Sequence, residues 1–228
     1  LEGEYIIQNG IIIIMSTNLS VTTEDYLKSI YELNEYKGFA TLADISQILG
    51  TARQTVYDEI KILLDKNFVK RKDRGKYSLT DGGEREANLF LRKHRVAEIL
   101  LWKGLNMKWS KLDDQAMGIE HGMTEEIISA ACKKFNCEKC PHGNPIPNSN
   151  GDVFLPADLK YKELEVGKRY FLNRVIFETP DILKFLEENS LLPNVIVLKD
   201  NNQNELMMSD DRRIGIPDYV LDALRFRK

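Results

Sequence analysis

Two of the three histidines stand where side chains could gather around an ion. In Gln115-Ala116-Met117-Gly118-Ile119-Glu120-His121-Gly122-Met123, the residues Met117, Glu120 and His121 fall at i, i+3 and i+4. On a helix they would share one face. A thioether, a carboxylate and an imidazole together suit a divalent transition metal better than calcium or magnesium, which take oxygen alone. His94 and Glu98 repeat the device at i, i+4 in Arg92-Lys93-His94-Arg95-Val96-Ala97-Glu98. The bland alternative is a core methionine beside a surface Glu–His pair. The third histidine, His142, lies near Cys137 and Cys140. These three are candidate zinc ligands that lack a fourth partner. The turn-rich run Cys140-Pro141-His142-Gly143-Asn144-Pro145-Ile146-Pro147-Asn148 therefore reads as an extended connector that fixes the turn out of the preceding helix.

The elements that must position these residues begin with a helix opened by Thr22-Thr23-Glu24-Asp25, with Tyr26, Ile30 and Leu33 at helical spacing and Lys37-Gly38 at its end. A threonine cap and early acidic residues suit that start. Thr41 caps a second helix through Leu42, Ile45, Ile48 and Leu49, which Gly50 stops. A third carries Val56, Ile60, Leu63 and Leu64 inward. Two short helices across a tight glycine turn make a helix-turn-helix. The stretch Phe68 to Thr80 then reads as a β-hairpin wing, turning between Asp73 and Lys76. Asp81-Gly82-Gly83 is expected to cap a long helix to about Leu101, and a second is expected from Asp113 to about Phe135. After about Leu159 come several short strand patterns and one short helix, which suggests a small β-barrel.

With 228 residues, two or three domains are expected. The boundaries are a leader or extension outside the fold at 1–14, a winged helix-turn-helix at 15–84, dimerisation and metal-binding helices at 85–140, a linker at 141–157 and a β domain at 158–228. No apolar run reaches the roughly 20 residues of a membrane span. A net charge of −3 excludes a general polyanion binder, so a nucleic-acid surface must be local. Three cysteines argue against a disulfide scaffold and for a reducing, cytoplasmic setting.

Such a surface is present. The third helix would enter the major groove, exposing Arg53, Gln54, Thr55, Tyr57 and Lys61. Arg53 and Gln54 are suited to bidentate base contacts. Lys72 and Arg74 on the wing, with Thr41 at the start of the second helix, are the candidate backbone contacts. The long helices that follow call for a second subunit, and a two-fold dimer reads an inverted repeat in double-stranded DNA.

Four segments in register, Thr22-Thr23-Glu24-Asp25-Tyr26-Leu27, Arg92-Lys93-His94-Arg95, Ile119-Glu120-His121 and Cys140-Pro141-His142-Gly143-Asn144-Pro145-Ile146-Pro147, resemble the diphtheria toxin repressor family of metal-dependent transcriptional repressors. The resemblance implies a mainly α protein: winged helix-turn-helix, helical dimerisation domain and C-terminal SH3-like β-barrel. It places a primary metal site on Asp25, Met117, Glu120 and His121, and an ancillary site on His94, Glu98 and Asp113. Lys28 stands where the family's manganese-sensing branch has glutamate, and Asn173 and Ile176 replace tail ligands of some members. The expectation is that the tail supplies no metal ligand. The Met117 thioether favours iron(II), with manganese(II) the alternative and cobalt(II) or nickel(II) able to substitute. The competing readings are a metallohydrolase, for which HExxH and phosphate-loop motifs are missing, and a metal-independent winged-helix regulator.

Overall fold

The computed structural model describes residues 19–201 and 204–228, and ahead of them the backbone of two short paired strands, β1 (Tyr5–Gln8) and β2 (Ile11–Ile14). The side chains of residues 1–18 lie outside the described residues, and with them the expectation that 1–14 stand apart from the fold.

Helix α1 (Val21–Lys37) is capped by Ser20 rather than Thr22, the serine hydroxyl accepting from the Thr23 amide at 3.2 Å. Helix α2 (Leu42–Leu49) opens with a reciprocal box between Thr41 and Asp44, and α3 (Arg53–Asp65) follows a short turn. The wing is β3 (Val69–Asp73) paired antiparallel with β4 (Lys76–Leu79). Tyr26, Leu27, Ile30, Leu33, Ile45, Val56, Ile60, Leu63, Val69 and Leu79 close one core. Helix α4 (Asp81–Ile99) is capped by Thr80, one residue before the expected cap. A Cβ on Gly83 would lie 1.9 Å from the Phe68 carbonyl oxygen, so only glycine lets α4 press this closely on the residue leading into the wing.

The single long helix expected from Asp113 to Phe135 is not formed. The chain instead makes α5 (Leu112–Met117), a 3-10 turn at Glu120–Gly122 and α6 (Glu125–Phe135). Gly118 and Gly122 weaken the helix between them, and Thr124 restarts it, its hydroxyl accepting from the Ile127 amide at 3.3 Å. Met117, Glu120 and His121 therefore belong to a broken corner, not to one helical face.

The C-terminal unit is the expected small β domain. Strands β5 (Arg169–Val175), β6 (Ile196–Lys199), β7 (Glu205–Met208), β8 (Arg213–Gly215) and β9 (Leu224–Arg227) form one antiparallel sheet in the order β8-β7-β6-β5-β9. No ladder joins β8 to β9 among the described residues, so the sheet stays open. Helices α7 (Pro180–Glu188) and α8 (Asp218–Ala223) accompany it. Its core is continuous with that of the central helices: Leu112, Ile128, Leu172, Val175, Leu186 and Phe226 belong to one buried cluster.

Candidate metal centre and nucleic-acid interface

The corner after α5 faces the second turn of α1. Asp25, Glu120 and His121 each offer one donor atom, all within 4.8 Å of one another. The His121 ring is oriented from behind: its Nδ1 lies 2.9 Å from a Glu24 oxygen, whose partner oxygen accepts from Lys93 at 2.8 Å. Phe90 stacks on the ring at 4.9 Å. That leaves His121 Nε2 facing Asp25 at 3.0 Å. Such carboxylate–imidazole pairing is how metal-ligating histidines are usually held. Burial raises the Asp25 carboxyl above its ordinary range, against the opposing pull of His121. Met117 lines the same cavity of about 460 Å³ but stays 47 % exposed.

A second cluster lies deeper. Glu98 at the end of α4, Cys140 and His142 from the connector, and Glu178 after β5 bring four donors within 4.8 Å of one another. His142 Nδ1 is 2.7 Å from Glu98 Oε1 and 2.6 Å from Glu178 Oε2. Yet none of these atoms, nor Glu98 Oε2, has an aligned hydrogen bond, and all are buried. Charge alone, without aligned hydrogen bonds, holds these groups together, and a divalent ion among the carboxylates could take over that neutralising role. His142 Nε2 sits 3.3 Å from the Trp109 carbonyl, and against the opposing pull of burial the Glu178 and Glu98 carboxylates beside Nδ1 hold the imidazole protonated; ligation through Nδ1 would release that proton. Burial, reinforced by Glu98 and Glu178, pushes the Cys140 thiol up to about 12, so ligation would release its proton.

The connector is seated by Gly143, at φ +90°, where a Cβ would fall 2.2 Å from the Asn173 carbonyl oxygen. The Val175 amide donates to the His142 carbonyl, and Asn144 donates to the Val175 carbonyl at 2.6 Å.

This cluster bears on two expectations. Cys140 and His142 do have carboxylate partners, but Cys137 is not among them, because it is disulfide-bonded to Cys132. The tail does bring a candidate ligand, Glu178, to the cluster, while Asn173 instead donates to Asp158. The expected ancillary trio is also divided. His94 and Asp113 approach at 3.3 Å, but Glu98 is 3.8 Å from His94 and closer to His142. The other His94 nitrogen contacts Glu120. Burial and Lys28 push the His94 imidazole down, but its bonds to Asp113 and Glu120 outweigh them and lift it to about 10. Sequence reasoning passed over Glu24, Lys93 and Glu178. Only Cys140-x-His142, in a stretch without periodicity, hinted at the second cluster.

On α3, Arg53, Gln54, Thr55, Tyr57 and Lys61 are exposed, as are Lys72 and Arg74 on the wing. Several already have partners. Gln54 donates to Asp58 one turn on, Lys61 lies over the Tyr57 ring at 4.4 Å, and Lys72 donates to the Gly38 carbonyl. Thr41 differs from the rest: half-buried, its hydroxyl is engaged with Asp44.

A winged helix-turn-helix is here joined to helices that gather carboxylate, imidazole and thiol donors, the architecture that a metal-responsive DNA-binding protein requires. Comparison with known proteins agrees. The family model "Iron dependent repressor, N-terminal DNA binding domain" matches residues 18–76, and "Iron dependent repressor, metal binding and dimerisation domain" matches residues 80–148. The crystal structure of T. acidophilum IdeR is 46 % identical, covers 92 % of this chain and 99 % of its own, and superposes with a TM-score of 0.88. The manganese regulator SloR is 25 % identical, with a TM-score of 0.77 over 90 % of this chain and 98 % of that one. The diphtheria toxin repressor of Corynebacterium jeikeium is 36 % identical over 129 residues, 55 % of this chain. The match spans about half of that relative's length, 53 %. The chain belongs to the iron-dependent repressor family, that of the diphtheria toxin repressor.

Proposed function

We propose that the protein is a metal-activated, DNA-binding transcriptional repressor of metal-homeostasis genes. It acts in the cytoplasm as a homodimer on an inverted-repeat operator. The observation that carries this reading is the meeting of Asp25, on the first helix of the DNA-reading unit, with Glu120 and His121 from the corner after α5. Asp25, Glu120 and His121, with Met117 beside them, would hold one ion. Glu98, Cys140, His142 and Glu178 would hold another. A bound ion supplies a charge-neutralising cross-link between elements. The chain's own part is to present Asp25 and Glu98 from α1 and α4, and the remaining ligands from segments beyond. Whatever favours the DNA-competent arrangement raises DNA affinity, and DNA raises ion affinity by the same factor.

Iron(II) is the favoured activator, because a thioether at Met117 is softer than a carboxylate. Manganese(II) is a second reading. Asp25, Glu120 and His121 converge without Met117, which remains half-exposed, and an oxygen-rich set without the thioether also suits manganese, with metal availability deciding against the higher intrinsic affinity for iron(II). The test is binding of operator DNA by chelator-stripped protein, with and without anaerobic iron(II) or manganese(II). Affinity should rise by roughly 5–150-fold on adding the physiological metal. Unchanged affinity after complete chelation refutes the proposal.

A further inference from the structure

Beside a third group of donors, His94, Asp113 and Glu178, lies a buried cation belonging to the chain itself. Lys28 sits on α1 one turn beyond Asp25 and is only 7 % exposed. Its Nζ is 3.1 Å from His94 Nδ1, 3.7 Å from Asp113 Oδ1 and 3.8 Å from Glu120 Oε2. The three approached side chains come from α4, from α5 and from the corner after it. This is a place where ion-binding groups converge, and an ammonium fills it.

We propose that Lys28 is a tethered cation that occupies an ion position, so that the protomer takes up two metal ions and His94 with Asp113 binds none. The inference rests on the metal-binding reading above. An ammonium has no lone pair to give a metal when charged. It stands 3.7 and 3.8 Å from the Asp113 and Glu120 carboxylates, which would otherwise serve as ligands, and beside the His94 imidazole that, against burial, the same carboxylates hold protonated. It also sets a unit charge against any third ion entering there, where the low dielectric makes repulsion strong. By neutralising Asp113 and Glu120 before metal arrives, it holds the corner after α5 against α1. Asp25 then meets Glu120 and His121 in a preformed arrangement. The second cluster, which Lys28 reaches only through the longer-range charge of Glu178, keeps its own buried donors. Lys28 is thus a positioning residue that sets metal count and selectivity without ligating.

The experiment counts ions in the full-length protein. Wild type, Lys28→Glu and Lys28→Gln are dialysed against manganese(II), and bound metal per protomer is measured by elemental analysis. Thermal unfolding is followed with and without metal. Wild type should saturate at two ions and Lys28→Glu at three. Metal-free Lys28→Gln should melt lower, on the order of 5–10 °C, because buried carboxylates lose their counter-charge. Its gain on adding manganese should exceed that of wild type. If Lys28→Glu does not fold, the Lys28→Gln melting comparison decides. Wild type that binds no ion refutes the metal reading and this inference with it, and wild type that binds one refutes the count proposed here. Wild type that binds three ions, or variants that hold two and melt unchanged, refute the role of Lys28 alone.

Discussion

Glu24 is not one of the donor set Asp25, Glu120 and His121, yet its loss should be felt there. Its two oxygens hold His121 Nδ1 at 2.9 Å and Lys93 Nζ at 2.8 Å, and its side chain is 14 % exposed. Glu24→Ala removes the charge that orients the ring and raises the basicity of Nε2, leaving the Phe90 stack and the Asp25 contact at Nε2 to hold it. Losing a carboxylate behind a ligating histidine typically costs 10–100-fold in metal affinity, which is about 1.4–2.7 kcal/mol. The metal concentration that half-activates DNA binding should rise by that factor. Affinity at saturating metal should stay near wild type, because the elements being linked are intact. Fluorescence anisotropy of a labelled operator duplex, titrated with manganese(II) at several protein concentrations, reads both quantities. A chelating-dye competition gives the metal affinity directly. Glu24→Gln keeps an acceptor oxygen and should fall between the two. A shift below twofold would refute the assignment of His121 Nε2 as the ligating atom, and a loss confined to saturating metal would make Glu24 a folding residue instead.

Three further outcomes are expected. Arg53→Ala should lower affinity for the cognate site by about 1–3 kcal/mol and relax specificity there, while Arg74→Ala should weaken all sequences alike and reduce the salt slope by about one unit; binding to cognate and scrambled DNA over a salt series separates them. Met117→Glu should move activation toward manganese and Met117→Cys toward cobalt, and an unchanged metal ranking would remove the thioether from the site. Gly143→Ala puts a methyl group where the Asn173 carbonyl lies and strains a left-handed backbone; denaturant unfolding should show a loss of at least ~2 kcal/mol, with the cobalt–thiolate absorption of Cys140 weakened.

The winged helix was legible because its signals are local. Thr41 and Asp44 form the box that their spacing permits, and Ile30, Leu33, Val56, Ile60 and Leu63 turn inward at helical period. The broken corner was legible only in part. Met117, Glu120 and His121 are placed near Asp25 as expected, but Gly118, Gly122 and the Thr124 cap outweigh helical periodicity. The deeper cluster was hidden for a different reason. Glu98, Cys140, His142 and Glu178 span 80 residues of chain from 98 to 178, and no periodicity relates them. Their meeting is decided by packing of the connector on β5, which Gly143 permits. The burial of Lys28 carried no sequence signal, since a lysine on a helix is usually solvated, and only tertiary structure reveals it.

Helix α4 has a mechanical meaning beyond the residues it contributes. Gly83 presses its start onto the chain entering the wing, and Glu98 sits near its end. Fifteen residues separate them, about 22 Å of rigid rod at 1.5 Å per residue. A tilt of about 5° at the Glu98 end swings the wing end by about 2 Å, more than half the 3.4 Å between successive base pairs. A single anchor would leave that rod free to pivot. Anchors at both Asp25 and Glu98, on separate helices of one packed body, remove the pivot. Pointing error is then bounded by the stiffness of the helix, and two such pointers in a dimer would tolerate little variation in the distance between half-sites.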